Sequence, residues 1–232
     1  ITVDVGTDKV LDLGGAGGNE SDVVVIESNA TLTATGIAGF TATSDTTNKS
    51  TGASNATLTA KADAEVTIDV SGAKADSKGF TLEGGSGTGN DILTGGGGVD
   101  IITGGAQIDT IKGNGGADTI SGGAGNDIIT GGSGNDIITI DVGTDKVLDL
   151  GGSGSGGESD VVVIEANATL TATDVISFTA TGDTTNKSTG AANATLTAKA
   201  NTAVTIDVSG AKSDSKGFTL EGGTGSGADI LT

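Results

Sequence analysis

Two textures of apolar and polar positions alternate along the chain. In the first, the alternation is strict over short runs. Leu32 and Ala34 stand against Thr31, Thr33 and Thr35; Val66, Ile68 and Val70 against Thr67, Asp69 and Ser71; Phe80 and Leu82 against Thr81 and Glu83. A period of two marks half-buried strands, and Gly, Asn and Ser turns separate these runs. The texture covers about residues 20–85 and 158–223 and predicts Thr/Ala-rich all-β modules, either sandwich or solenoid. Phe40, Phe80, Phe178 and Phe218 are expected to plug an interior of small residues.

The second texture beats every nine residues. SGTGNDILT (86–94), GGGGVDIIT (95–103), GGAQIDTIK (104–112), GNGGADTIS (113–121), GGAGNDIIT (122–130) and GGSGNDIIT (131–139) stand in phase. An aspartate holds position six and an aliphatic holds position eight in every unit. Glycines permit the positive φ of a tight turn, and the last three residues suit a very short strand with one side chain facing inward. One unit therefore makes a turn and a strand, and two units close a coil. Turns on the same edge come from repeats n and n+2.

The beat fades without stopping. IDVGTDKVL (140–148) keeps Gly143, Asp145 and Val147 in phase, and its twin at 3–11 keeps Gly6, Asp8 and Val10. GGSGSGGESDVVV (151–163) offers glycines, Asp160 and an apolar strand behind a stretched loop. Upstream, Leu82-Glu83-Gly84-Gly85 mimics a strand exit and is followed by a two-residue expansion before Asp91. The beating tract is expected to merge into its neighbours.

A longer repeat encloses both textures. ITVDVGTDKVLDLGG (1–15) returns as ITIDVGTDKVLDLGG (138–152), TTNKSTG (46–52) returns at 184–190, and GFTLEGG (79–85) returns at 217–223. Near-verbatim recurrence at this spacing reads as a window on a longer tandem array. The expected organisation is a Thr/Ala-rich module at 1–85, the beating tract at 86–139, a second module at 140–223, and the start of the next tract, with Asp229, at 224–232.

Composition narrows the chemistry. The chain has no Cys, His, Met, Pro, Trp or Tyr, and 30 carboxylates face 11 lysines for a net charge of −19. No disulfide, thiolate zinc site or His-assisted nucleophile can be built. Nucleic acid is excluded as a partner, because phosphate binding needs a basic face. No apolar run is long enough to cross a membrane as a helix. A compact state with this charge repels itself unless cations neutralise it, and an oxygen-only ligand set favours hard ones. The carboxylates recur on a lattice of equivalent loops, whereas a catalytic acid–base pair is unique and sits in a cleft. The chain is therefore not expected to be an enzyme. Seven N-x-S/T sequons, among them Asn29, Asn55, Asn167 and Asn193, follow from a composition rich in Asn, Thr and Ser.

Six copies of G-G-x-G-x-D-x-U-x give the tract 86–139 a clear resemblance to the RTX (repeats-in-toxin) calcium-binding family. Ser86, Asn114 and Gln107 depart from the glycines of the motif, which is expected to distort those loops slightly. The resemblance implies a parallel β-roll with Ca²⁺ between turns. Its expected ligands are the carboxylates of Asp91, Asp100, Asp109, Asp118, Asp127, Asp136, Asp145 and Asp229. The expected pairs are Asp91 with Asp109, Asp100 with Asp118, Asp109 with Asp127 and Asp118 with Asp136, followed by Asp127 with Asp145 and Asp136 with Asp160. Backbone groups of Gly87, Gly89, Gly96, Gly98, Gly104, Ala106, Gly113, Gly115, Gly122, Ala124, Gly131 and Ser133 are expected to complete the cages. With six Asp against Lys112 alone in 86–139, folding is expected to require the metal.

The resemblance also implies type I secretion and an extracellular or bacterial cell-surface location. The expected role is a structural repeat unit of a surface layer, filament or adhesin stalk. Expected partners are other copies of the repeat, with no membrane insertion and a cell-surface glycan as a further candidate. The alternative is an accessory region of a secreted hydrolase or toxin.

Overall fold

A computed structural model describes residues 1–4, 6–10, 13, 22–28, 30–50, 56–75, 77–150, 159–175, 177–188, 194–201 and 204–232. Every regular element among them is a β-strand, and every strand pairing is parallel. In the beating tract the ladder joins residues eighteen apart. Ile92 pairs with Thr110 and Thr110 with Ile128 in one sheet; Ile101 pairs with Thr119 and Thr119 with Ile137 in the other. Successive nonapeptides thus fall on opposite sheets, and two of them make one coil. The position-eight residues Leu93, Ile111 and Ile129 of one sheet and Ile102, Ile120 and Ile138 of the other are all buried between the sheets. Their neighbours Ile92, Ile101, Ile128 and Ile137 point outward, as the strand period requires.

The Thr/Ala-rich segments continue the same ladder. Thr67–Asp69 pairs with Ile92–Thr94, Thr81–Glu83 with Ile101 to Thr103, and Ile137–Ile140 with Val161–Ile164. The choice between sandwich and solenoid therefore falls to solenoid, and two nine-stranded parallel sheets run through both textures. The coils differ in girth. Thr33 pairs with Thr57 and Thr57 with Thr81, twenty-four residues apart, against eighteen in the tract. The added residues build a third side. Thr2–Val3, Val25–Ile26 and Thr47–Asn48 form one short sheet, and Ser177–Thr179, Thr205–Asp207 and Ile230–Leu231 form another. Leu32, Ala34, Leu58, Ile68 and Leu82 fill the first module, with Phe40 and Phe80 buried as plugs. Phe178 is buried likewise, and Phe218, in the last coil, is half-covered.

Sequence twins do not occupy the same side. Ala30–Ile37 lies in one nine-stranded sheet and its copy Ala168–Val175 in the other; Ala56–Ala60 and Ala194–Ala198 are divided in the same way. From one repeat to the next, the sequence has moved on by one side of the coil.

Two sets of polar side chains are buried, one around Thr47–Asn48 on the third side of the first module and its twin around Thr185–Asn186, which ends one of the nine-stranded sheets. Thr46, Thr47, Asn48 and Ser50 are inaccessible to solvent or nearly so, as are Thr184, Thr185, Asn186 and Ser188. Among the sequons, Asn167 is exposed, while Asn29, Asn55 and Asn193 lie outside the described residues.

Candidate metal centre

The position-six aspartates form two files, one along each edge where the chain turns between the two long sheets. Burial follows from the turn: the glycines bring the chain back sharply, and the carboxylate folds under the loop. Asp91, Asp100, Asp109, Asp118, Asp127, Asp136, Asp145 and Asp160 are all buried.

Each file is stitched by one repeated hydrogen bond. The backbone N–H of an aspartate donates to Oδ1 of the aspartate one coil later. On one edge these are Asp91 to Asp109 at 2.7 Å, Asp109 to Asp127 at 2.8 Å and Asp127 to Asp145 at 3.0 Å. On the other they are Asp100 to Asp118 at 2.8 Å, Asp118 to Asp136 at 2.9 Å and Asp136 to Asp160 at 3.0 Å. The six expected pairs are therefore neighbours. The Thr/Ala-rich coils start both files, because the Val66 N–H donates to Asp91 Oδ1 at 2.8 Å and the Phe80 N–H to Asp100 Oδ1 at 2.6 Å. In the second copy, the Val204 N–H donates to Asp229 Oδ1 at 3.1 Å, and Asp229 Oδ2 accepts the Gly223 N–H at 2.8 Å.

The second carboxylate oxygen has a different fate. Oδ2 of Asp109, Asp118, Asp127 and Asp145 is buried with no hydrogen-bond partner among the described residues. Such an atom is costly unless something positive meets it. Carbonyl oxygens converge on the same places. A Cβ added to Gly95 would lie 2.5 Å from both Asp100 Oδ2 and the Gly113 carbonyl. One added to Gly104 would lie 2.5 Å from Asp109 Oδ2 and press on the Gly122 carbonyl; one added to Gly113 would press on Asp118 Oδ2 and the Gly131 carbonyl. At Gly95, Gly104 and Gly113 a side chain would therefore fill the space beside the carboxylate. Above each glycine, a carboxylate from its own repeat and a carbonyl from the next coil face one small volume.

The electrostatics agree. Burial, reinforced by the like charges of Asp100 and Asp136, pushes the Asp118 carboxyl up to about 7. Burial pushes Asp100 to about 6. It does the same for Asp109, helped by Asp127 and Asp91, and for Asp145, helped by Asp127 and Asp141. Asp91 and Asp127 are raised by burial too. A divalent cation relieves desolvation and repulsion together. Among the described residues no three carboxylates gather at one point, so a cage must combine carboxylate with carbonyl oxygens. That donor set suits Ca²⁺, which accepts six to eight oxygens in flexible geometry. The residues present fit the ion. Bound there, it would supply charge neutralisation and a cross-link between coils.

The backbone groups marked in the sequence divide. Gly104, Gly113, Gly122 and Gly131 lie beside the Oδ2 atoms of Asp109, Asp118, Asp127 and Asp136. Ala106, Gly115, Ala124 and Ser133 lie in the ladders, Ala106 opposite Ala124 and Gly115 opposite Ser133. Gly96 meets the site through its N–H, which donates to Asp100 Oδ2 at 2.6 Å, while its carbonyl accepts the Gly115 N–H at 3.1 Å. Gly98 packs on residues 77–79, Gly87 on Ala62 and Asp63, and Gly89 on Ala64 and Glu65. In the first repeat the position-one place belongs to Gly84, where an added Cβ would press on the Gly104 carbonyl and lie 2.7 Å from Asp91 Oδ2. The strand exit at Gly84-Gly85 was the available signal.

The expected loop distortion is absent at Asn114, which keeps the positive φ of its glycine counterparts (71°) and its pairing with Gly132. Its side-chain amide donates to the Gly95 carbonyl at 2.7 Å. Asp141 went unnoticed in the sequence. Its carboxylate accepts from Ser121 Oγ at 2.5 Å and from the Gly123 N–H at 3.3 Å, closing the file's last turn where the motif glycine is missing.

The family model of the RTX calcium-binding nonapeptide repeat (4 copies) matches residues 81–111, 103–138 and 112–147. No curated protein and no solved structure matches the chain.

Proposed function

Residues 81–147 being a tract of RTX calcium-binding repeats, a calcium-dependent repeat region of a secreted protein, we propose that the chain is a structural unit of a bacterial surface scaffold. The scaffold would be a surface layer, an extracellular filament or an adhesin stalk. One observation carries this reading: the same two parallel sheets run through the RTX tract and into both Thr/Ala-rich modules, so the described residues form one continuous solenoid. A solenoid passes stability and load from coil to neighbouring coil, which suits a rod.

Calcium acts here as the switch between a secretable chain and a stiff one. Without metal, the file of buried carboxylates opposes coiling; with it, each ion ties a coil to the next. The unit is read as non-enzymatic, with other copies of the repeat as its partners. A cell-surface glycan remains a second candidate partner. The location is read as extracellular, and no helix among the described residues is long and apolar enough to cross a membrane.

The competing reading is an accessory region of a type I-secreted hydrolase or toxin. Electron microscopy of the full-length protein separates the two. Rods or lattices that form in calcium support the scaffold; monodisperse particles carrying a distinct globular domain support the accessory region.

A further inference from the structure

The calcium file on one edge begins at a peptide group that is held from both ends. Its N–H belongs to Phe80 and donates to Asp100 Oδ1 at 2.6 Å. Its carbonyl belongs to Gly79 and accepts a short hydrogen bond from Asn48 Nδ2. Asn48 is fully buried and has no freedom to choose another partner. Its Oδ1 accepts from the Ser50 N–H at 3.0 Å and from Ser50 Oγ at 2.6 Å, which fixes the amide's orientation. Its backbone carbonyl accepts the Lys78 N–H at 2.9 Å. Gly79 itself has φ +95°, and an added Cβ there would sit 3.0 Å from Asp100 Oδ1, so the peptide is clamped tightly against the aspartate.

We infer that Asn48 is a positioning residue for calcium binding by the Asp100, Asp118, Asp136 and Asp160 file. The inference rests on the calcium reading of those aspartates. Asn48 acts on the file through the Gly79–Phe80 peptide. It orients the peptide plane whose N–H fixes Oδ1 of Asp100, while Oδ2 accepts the Gly96 N–H at 2.6 Å and faces the same small volume as the Gly113 carbonyl. A hydrogen bond at the carbonyl end of a peptide also polarises its N–H, so the two bonds strengthen each other. Every later aspartate in the file is held by the N–H of the aspartate before it, but Asp100 is the first and has none. Asn48 gives the file a start that needs no metal. The Thr/Ala-rich module thus templates the first cage, and each filled cage templates the next.

The second repeat carries an internal control. Asn186 makes the same bonds, with Nδ2 donating to the Gly217 carbonyl at 2.5 Å and Oδ1 accepting from Ser188 N–H and Oγ at 3.0 and 2.6 Å. Its latch points away from residues 86–139, toward the Gly217–Phe218 peptide. Both asparagines are fully buried and make the same bonds, although Gly217 and Phe218 are less covered than Gly79 and Phe80. They differ in which calcium file they address.

The test is calorimetric calcium titration of the whole chain as wild type, Asn48→Asp and Asn186→Asp, with circular dichroism of each in calcium. The aspartate is isosteric and keeps an acceptor for Ser50, but it has no N–H for Gly79. Groups that orient metal ligands typically change affinity by about 10–100-fold when removed. Asn48→Asp is therefore expected to weaken calcium binding at the Asp100 file by about tenfold or more and to lower its cooperativity. Asn186→Asp is expected to leave that midpoint within about twofold. If Asn48→Asp does not fold in calcium, Ser50→Ala replaces it, expected to shift the midpoint in the same direction by less, with Ser188→Ala silent. Unchanged binding by the Asn48 or Ser50 variant, or an equal loss in the Asn186 or Ser188 twin, overturns the inference while leaving the calcium reading intact. A wild-type chain that takes up no calcium overturns the calcium reading itself.

Discussion

Asp118 joins three successive coils on one edge: its backbone N–H donates to Asp136 Oδ1 at 2.9 Å, and its own Oδ1 accepts the Asp100 N–H at 2.8 Å. Its other oxygen, Oδ2, is buried beside Gly113 and the Gly131 carbonyl, with no hydrogen-bond partner among the described residues. An interior aspartate thus serves as strut and as ligand candidate at once. Replacing it removes both.

Asp118→Ala is expected to cost more than the loss of one site. Two cages lose a carboxylate or its support, and coils on either side lose their connection. Asp91→Ala stands at the start of the other file, next to the Val66 N–H, and should be milder. Calcium titration should show about two ions fewer for Asp118→Ala and about one fewer for Asp91→Ala, if each ion needs two flanking coils. Equal losses would count against the shared-ligand arrangement.

Chelation should melt the tract before the modules. The tract's core is one aliphatic per nonapeptide, whereas the module coils bury Leu, Ala, Val and Phe together. Hydrogen exchange with and without chelator measures this residue by residue. Residues 92–140 should lose protection first, and strands such as Ala30–Ile37 should keep more of theirs. Uniform loss along the chain would contradict the expectation.

The metal-free chain should prefer acid. Burial raises the folded-state carboxyls of Asp100, Asp109 and Asp145 to about 6 and of Asp118 to about 7, from 3.8. A raised carboxylate favours the protonated fold. Its contribution is complete below the unfolded value and is lost as pH climbs through the folded one. Metal-free protein should therefore show more β signal at about pH 5 than at about pH 7.5, by circular dichroism. In saturating calcium the preference should invert, because protons compete with the metal for the same oxygens. A metal-free chain that orders better at neutral pH would contradict the assignment of these groups.

The nonapeptide beat made the tract legible from residues alone, since position six is always Asp and position eight always aliphatic, and the aspartate pairs followed from two repeats per coil. Three features were hidden for physical reasons. The TTNKS run shows no apolar alternation, and Thr, Asn and Ser are usually solvated, yet Asn48 is buried through its own hydrogen bonds to Gly79 and Ser50. Gly84 holds the first cage because a two-residue expansion shifts the frame, and a fixed template passes over it. The step of one side between Ala30–Ile37 and Ala168–Val175 depends on how many sides each coil has, which periodicity does not encode.

That step has a consequence for arrays. With three-sided coils in the modules and two-sided coils in the tract, each calcium tract should occupy the next pair of sides. Cryo-electron microscopy of a chain with four or more repeats should show tracts turning in one sense and regaining their orientation after about three repeats. Tracts in constant orientation would contradict it.

The most direct measurement is anomalous diffraction from crystals grown in calcium. Two files of ions are expected along the edges of the tract, each ion between adjacent coils and beside Oδ2 of Asp109, Asp118, Asp127 or Asp145. Ions in those places confirm that buried carboxylates and carbonyls form cages. Fewer than about three ions in residues 86–147, or ions bound only at exposed carboxylates, would contradict the account.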